Sequence, residues 1–544
     1  MSHEKLLISG DEAVALAARH AGVALGAGYP GTPSTEILEE FSRLGGRAQW
    51  APNEKVALEV AIGAAFGGAR ALCAMKHVGL NVAADPLFTA AYTGVSGALV
   101  VVSADDPGLA SSQNEQDNRH YAVAAGLPML EPADSQEAYD FALAAFELSQ
   151  HWKLPVLLRM TTRVCHSKTI VQPRSSGSVT GLGDVLGAAP EPHFERDVKG
   201  RVMIPAYARL AHRRLRQKLA EIADWNEAGP LNPVVEGEGK GELGIIASGI
   251  SFMHAREAAP QAGILKLGMV YPLPAARLRE FADVFGRLLV IEEGDPFLAD
   301  AIRALGMEVE AKGEMYRFGE LTVGRVRRIV AGDTSPEPPP PRGKPPQLCA
   351  GCPHRVAFEA LGKLNCIVTG DIGCYTLGVL PPFEAMDTCV CMGASIGVGL
   401  GLRHVLDDGQ AGRVVSVIGD STFVHSGITG LVEMVYNPPP TGHVLLILDN
   451  GTTAMTGLQE HPGTGRRLDH QPTGRVVFED LARALGVPNV YVVDPTTGPA
   501  GFEKLLAEAL AKRELTVIIA RRPCLLAAAK IREYESQRAC PKGE

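Results

Sequence analysis

The stretch that decides the fold is residues 414–457, VVSVIGDSTFVHSGITGLVEMVYNPPPTGHVLLILDNGTTAMTG. Its two apolar runs, VVSVIG and HVLLIL, are short, rich in branched residues and free of charge, the pattern of strands buried on both faces of a parallel sheet. A helix is expected between them. The first run ends in Gly419-Asp420-Ser421 and the second in Asp449-Asn450-Gly451, followed by Thr452. Adjacent parallel strands place their carboxyl ends side by side, where open α/β sheets take ligands. The Asp420 carboxylate and the Asn450 amide oxygen, thirty residues on, can therefore share one Mg²⁺. That ion prefers a few protein oxygens and fills its shell from a phosphorylated ligand. The competing reading is that GD and DN are ordinary turn dipeptides.

Outward from this stretch the same alternation recurs. Toward the C-terminus come VYVVD and TVIIARR as further strands, and before Ile170 the chain alternates between helices and strands such as ALVVVSADD and LPVLLRMTTR. This is the order of a parallel sheet covered by helices. The segment from Ile170 to Gly241 breaks the pattern with SSGSVTGLG, several prolines and one basic helix across Tyr207 to Trp225. A shorter α/β unit follows, with LGIIASGIS, ILKLGMVYPL and RLLVIEEGD as strands. SPEPPPPRGKPP (335–346) is then an extended, semi-rigid linker.

Composition narrows the function classes. With 544 residues, at about 150 per domain, three or four domains are expected. The hydrophobic share of 46%, charged share of 21% and mean hydropathy of +0.06 are those of a globular protein. A net charge of −9 with no dense basic stripe argues against nucleic acid. Pro86 to Ala104 has the length of a membrane span, but Pro86, Gly94, Gly97 and its hydroxyl residues read as a buried helix plus strand. Ten cysteines are too sparse for a disulfide scaffold and no signal peptide is read before the first strand, so the expected compartment is the cytoplasm, without a membrane.

Cys349-Ala350-Gly351-Cys352 is a C-x2-C on a loop after the linker, Cys374 sits in GDIGCYTLG, and Cys524 follows the last strand in ARRPC. Cys349 and Cys352 with His354 suit zinc or a redox pair, or can be unliganded; four loop thiolates together suit a [4Fe-4S] cluster. Cys73, Cys165, Cys366, Cys389 and Cys391 lie in apolar or helical surroundings and are expected to be buried and inert, whereas Cys540 lies in a polar tail.

The GD and the later N resemble the thiamine-diphosphate fold signature. Over nearly its whole length the sequence resembles the 2-oxoacid:ferredoxin oxidoreductases, most closely the indolepyruvate ferredoxin oxidoreductase alpha subunits. The resemblance is carried by GYPGTPSTEI (28–37), NEKVALEVAIGAA (53–65), KHVGLNVAADP (76–86), CAGCPHR (349–355), GDIGCYTLG (370–378), GDSTFVHSG (419–427), DNGTTAMTG (449–457) and RRPC (521–524). It implies two large doubly wound parallel-sheet domains flanking a smaller transketolase C-terminal-like α/β domain. The implied limits are a pyrimidine-binding domain at 1–170, a connector at 171–241, the small domain at 242–334, the linker, a diphosphate-binding domain at 347–530 and a polar tail at 531–544.

By matched position the resemblance assigns roles. Asp420, Asn450 and the Thr452 carbonyl would hold Mg²⁺ against the diphosphate, with Gly419 and Ser421 beside it. Glu54 would hydrogen-bond the aminopyrimidine and favour the imino tautomer, so that the cofactor acts as its own base. Glu59, on the same segment, reads as a solvated-face residue. Thr32 would contact the substrate carboxylate, its competing role being a helix cap before Glu36. Cys349, Cys352, Cys374 and Cys524 match the ligands of one [4Fe-4S] cluster. His77 and His425 are candidates for substrate contact, and Met455, where the pyruvate enzymes carry Asn, suits an aromatic side chain. The implied reaction is oxidative decarboxylation of an aryl 2-oxoacid, indolepyruvate or phenylpyruvate in type, to the acyl-CoA.

The resemblance also implies a smaller gamma-type (beta) subunit in a hetero-oligomer. The alpha subunits usually end in a ferredoxin module with two C-x2-C-x2-C-x3-C-P runs, and this sequence contains neither run. Electrons are therefore expected to leave through a partner subunit, ferredoxin or another acceptor. The rival readings are a non-redox thiamine-diphosphate decarboxylase or ligase, an oxidoreductase for another 2-oxoacid, and a non-catalytic electron-relay subunit.

Overall fold

A computed structural model describes residues 5–185, 191–237, 242–339, 343 and 345–539. Cys540 and parts of the expected connector, linker and tail lie outside the described residues. The chain divides into two units, Met1–Pro338 and Pro339–Glu544.

In the first unit a seven-stranded sheet runs in the order Met269–Tyr271, Met129–Leu130, Val156–Thr161, Ala98–Asp105, Arg70–Lys76, Leu25–Gly28, Ala48–Trp50. Its strands are parallel except Met269–Tyr271, which pairs antiparallel with Met129–Leu130. Strands Arg70–Lys76 and Ala98–Asp105 are buried at every position, as the apolar runs through their middles require. Helices Glu54–Phe66 and Ser135–Trp152 pack on them. Each starts on a polar cap: Asn53 Oδ1 accepts the Val56 N–H (3.0 Å) and Asp134 Oδ1 the Glu137 N–H (2.9 Å), which satisfies amides the helix itself leaves open.

A five-stranded sheet in the same unit has the order Glu310–Ala311, Arg287–Ile291, Leu243–Ala247, Gly263–Lys266, Val234–Val235. The run ILKLGMVYPL is thus not one strand. Its first half joins this small sheet and its second half crosses to the edge of the large one. Buried ion pairs run beside the crossing. Arg119 meets Glu292 (2.7 Å) and Asp117 (2.5 Å), and Arg159 meets Asp105 (2.7 Å) and Glu131 (2.5 Å). The basic helix expected in the connector is present as Pro205–Ala228, and Pro86 to Ala104 forms parts of helix Ala84–Thr93 and strand Ala98–Asp105.

The second unit holds a six-stranded parallel sheet ordered Thr388–Cys389, Ile367–Gly370, Val414–Gly419, His443–Asp449, Leu515–Arg521, Asn489–Val493. Its apolar runs are continuous because each face has its own core. Val415, Val417, Leu446, Leu448 and Ile518 pack into one cluster with Phe358. Ile418, Leu445, Ile447, Val517 and Ile519 pack into the other with Phe423. Each such side chain contributes about 1.5–3 kcal/mol by leaving water. The described chain ends in helix Ala528–Ala539. Among the described residues no helix is long and apolar enough to cross a membrane.

Candidate functional site

The centre of the second unit's site is the pair of strand ends at Gly419 and Asp449. Register pairs Gly419 with Leu448, so Asp420 and Asp449 come level and Asn450 lies one step beyond. Asp420 is buried; its Oδ1 accepts the Ser421 N–H (2.9 Å) and its Oδ2 the Gly451 N–H (2.7 Å). Gly451 presents that amide from a φ of +72°, which glycine adopts at no steric cost. Asn450 Nδ2 donates to His354 Nε2 (3.4 Å), and Asn450 Oδ1 accepts the Thr452 N–H (3.0 Å). His461 faces Asp420. Its Nδ1 accepts the Gly463 N–H (3.1 Å), which leaves the proton on Nε2, 3.3 Å from Asp420 Oδ2.

The electrostatics favour a cation. Burial raises the Asp420 carboxyl, but His461 and the Ser421 and Gly451 amides outweigh it and leave its pKa below the ordinary value. Asp449 is pushed up to about 6 by burial and by the Asp420 charge, although Arg521 binds it at 2.7 Å. Burial lowers His354 to about 4, so it stays neutral and adds no positive charge of its own near Asp420. Hard oxygens from two neighbouring strand ends, with a second carboxylate behind them, fit Mg²⁺. Ser421 Oγ shares a hydrogen bond with Thr453 Oγ1 (2.8 Å).

Cys349, Cys352, Cys374 and Cys524 are brought together. Burial pushes Cys374 up to about 11, and Cys524, Cys352 and Cys349 all add to the shift; Cys352 is raised by burial and by Cys349 and Cys524. The Cys524 N–H donates to the Asn450 carbonyl (2.9 Å), which ties Cys524 to the loop that carries Asn450 and Thr452. Tetrahedral zinc holds sulfurs about 3.8 Å apart, from Zn–S bonds of ~2.3 Å. Among the described residues no three of these thiols lie within 4.8 Å of one another.

In the first unit Glu54 opens helix Glu54–Phe66 and is buried. A Cβ on Gly79 would lie 2.6 Å from Glu54 Oε1, so glycine there makes room for the carboxylate. Glu59 is exposed and pairs with Lys55. Thr32 is half-buried in the turn before helix Thr35–Arg43, whose cap position is taken by Ser34. His77 is fully buried at the end of strand Arg70–Lys76, with Nε2 on the Asn114 carbonyl (3.2 Å), and burial lowers its pKa. In the second unit His425 is buried in a π-helical turn with Nδ1 on Ser426 Oγ (2.7 Å), while Met455 is exposed.

The expectation of inert cysteines holds for Cys73 and Cys165, which are buried, and needs correcting elsewhere. Cys366 is only half-buried, and Cys389 and Cys391 are exposed. Their strand, Thr388–Cys389, is two residues long at a sheet edge, and the neighbouring Val390 is exposed as well. Apolar neighbours in sequence did not mean a covered position. His354, read from the sequence as a partner of Cys349 and Cys352, instead meets Asn450. His461 was missed as a site residue, because it comes from a loop with no motif of its own.

Two family models match: "Pyruvate flavodoxin/ferredoxin oxidoreductase, thiamine diP-bdg" over residues 16–208 and "Thiamine pyrophosphate enzyme, C-terminal TPP binding domain" over 371–520. The indolepyruvate oxidoreductase subunit IorA of Archaeoglobus fulgidus is 40% identical over 98% of this chain and 89% of its own. The chain belongs to the IorA family of indolepyruvate oxidoreductase subunits. The IorA of Thermococcus kodakarensis is 38% identical over 96% of this chain and 86% of its own. Among solved structures, the 2-oxoglutarate:ferredoxin oxidoreductase of Magnetococcus marinus, with 2-oxoglutarate, coenzyme A and succinyl-CoA bound, matches 60% of this chain and 65% of that one at a TM-score of 0.51 and 18% identity. That likeness supports the fold. The fold is therefore the thiamine-diphosphate-binding α/β fold, and the chain is an enzyme subunit of the thiamine-diphosphate-dependent 2-oxoacid:ferredoxin oxidoreductase family.

Proposed function

We propose that this chain carries out the oxidative decarboxylation of an aryl 2-oxoacid to its acyl-CoA, with Mg²⁺ at Asp420 and Asn450 and electrons leaving through one [4Fe-4S] cluster on Cys349, Cys352, Cys374 and Cys524. Thiamine diphosphate, when bound, supplies the nucleophilic carbon and the electron sink that decarboxylation of a 2-oxoacid needs. Asp420 and Asn450, with the Thr452 carbonyl, hold the metal that fixes the diphosphate. Glu54 hydrogen-bonds the aminopyrimidine and sets its tautomer. Thr32, for the substrate carboxylate, and His77 are the first unit's candidates for substrate contact, and His425 is the second unit's.

The observation that carries the reading is the tie between Cys524 and Asn450, which sets the electron exit against the metal-binding loop. The 40% identity to a named indolepyruvate oxidoreductase subunit and the soft, exposed Met455 support an aryl substrate. A smaller gamma-type subunit and ferredoxin are the partners this reading calls for, in the cytoplasm. The test is iron and acid-labile sulfide on protein purified without oxygen, then dye reduction dependent on CoA and indolepyruvate or phenylpyruvate. About four iron per chain and substrate-dependent reduction support the proposal; zinc or bare thiols leave a non-redox thiamine enzyme as the better account.

A further inference from the structure

Asp11, the second residue of helix Gly10–His20, is fully buried, and its carboxylate oxygens meet no N–H or O–H donor. The thiol of Cys165, itself fully buried, lies against it as a weakly polar neighbour. One donor atom each from Asp11, Glu36 and His166 lie within 4.8 Å of one another, and all three line a cavity of about 400 Å³. The cations in that cavity wall are engaged elsewhere: Arg43 binds Glu40 (2.5 Å) and Lys168 binds Glu12 (3.2 Å). Burial raises the Asp11 pKa well above the ordinary value, and the Glu36 charge raises it further. A buried carboxylate in this position keeps a proton or takes a cation.

The imidazole decides between them. Nothing about a protonated Asp11 calls for a histidine nitrogen and a second carboxylate converging on the same point. Ligand bonds of about 2.0–2.1 Å in tetrahedral geometry set donors ~3.4 Å apart. Glu36 and His166 are exposed, so both side chains can change rotamer toward Asp11.

We propose that Asp11, Glu36 and His166 form a binding site for a divalent first-row transition ion, Zn²⁺ by its donor set. Carboxylate and imidazole donors suit zinc, whereas Mg²⁺ and Ca²⁺ favour oxygen alone. The ion would join three helix ends: the first turns of Gly10–His20 and Thr35–Arg43 and the last residue of Thr162–His166. Helix Thr35–Arg43 follows directly from the loop bearing Thr32, so the site would stiffen that loop.

The test uses the full chain, purified without oxygen, loaded with Mg²⁺ and thiamine diphosphate, stripped of loosely held metal and titrated with Zn²⁺. His166→Ala and Glu36→Gln change exposed side chains and leave the core intact. Asp11→Asn keeps the buried shape without the charge. The expected result is one Zn²⁺ equivalent per chain that raises the unfolding temperature, weakened by at least ~10-fold in each variant, the minimum typical even for groups one step behind a metal ligand. Iron content stays unchanged. Equal zinc uptake by wild type, His166→Ala and Glu36→Gln would overturn the proposal. So would zinc that persists in these variants but disappears in Cys524→Ser, which would assign the ion to the thiols.

Discussion

Gly79→Ala separates the position of Glu54 from its chemistry. The added methyl would lie 2.6 Å from Glu54 Cγ and Oε1 and 2.8 Å from Cδ, against ordinary contacts of about 3.5–4.0 Å. The overlap is therefore about 1 Å. Gly79 sits in helix His77–Val82, where alanine gains about 1 kcal/mol in helix propensity. Overpacking costs about 1–3 kcal/mol, so the net change in stability stays within about 2 kcal/mol. The atoms in the way belong to a flexible side chain, and the cheapest relief swings the carboxylate aside. A misplacement of about 1 Å costs roughly 10²-fold in rate. The assay is CoA-dependent dye reduction with an aryl 2-oxoacid, run beside thermal unfolding, with Glu54→Gln as the reference for complete loss of the carboxylate. A folded Gly79→Ala enzyme that keeps more than half the wild-type kcat while Glu54→Gln is inactive would refute the reasoning.

Asp420→Asn removes the only ionised oxygen donor proposed for Mg²⁺, and the Mg²⁺ concentration needed to retain thiamine diphosphate should rise by at least ~10-fold; ultrafiltration of bound cofactor measures it. Cys524→Ser should lower iron from about four per chain toward zero, read by iron assay and the visible spectrum, with thiamine diphosphate still bound. Glu293 is buried and its pKa raised from the ordinary 4.5 to about 7, by burial first and then by the Glu320 and Glu131 charges. Between those values the folded chain keeps a proton that the unfolded chain has released, so stability is highest below about pH 4.5 and falls as pH rises toward 7. The contribution lost is at most about 3 kcal/mol, and Glu293→Gln should flatten denaturant-measured stability over that range.

The parts of the fold legible in the sequence were those whose pattern is local. The runs at 414–419 and 443–449 read as strands because both faces of each are covered, and Asp420 and Asn450 followed because strand ends place what comes next. Short strands carry no such signal. Met269–Tyr271 and Thr388–Cys389 are three and two residues long, and nothing in them states which sheet they join or that Cys389 stays exposed. Long-range assembly was equally illegible. Asp11, Glu36 and His166 are spread over most of the first domain and converge only through helix packing, and His461 gains its place from a loop folding back onto Asp420.

The crossing of Met269–Tyr271 onto the edge of the large sheet bears on how this gene can be cut and rejoined. A break near residue 242, where the sequence changes character, would strip backbone partners from Met129–Leu130 and leave Arg119 without Glu292. Each half would carry an open sheet edge. The first two α/β modules are thus heritable only as a single block. Fusion, fission and exchange of modules should be tolerated better at the boundary between the two units, Pro338 to Pro339.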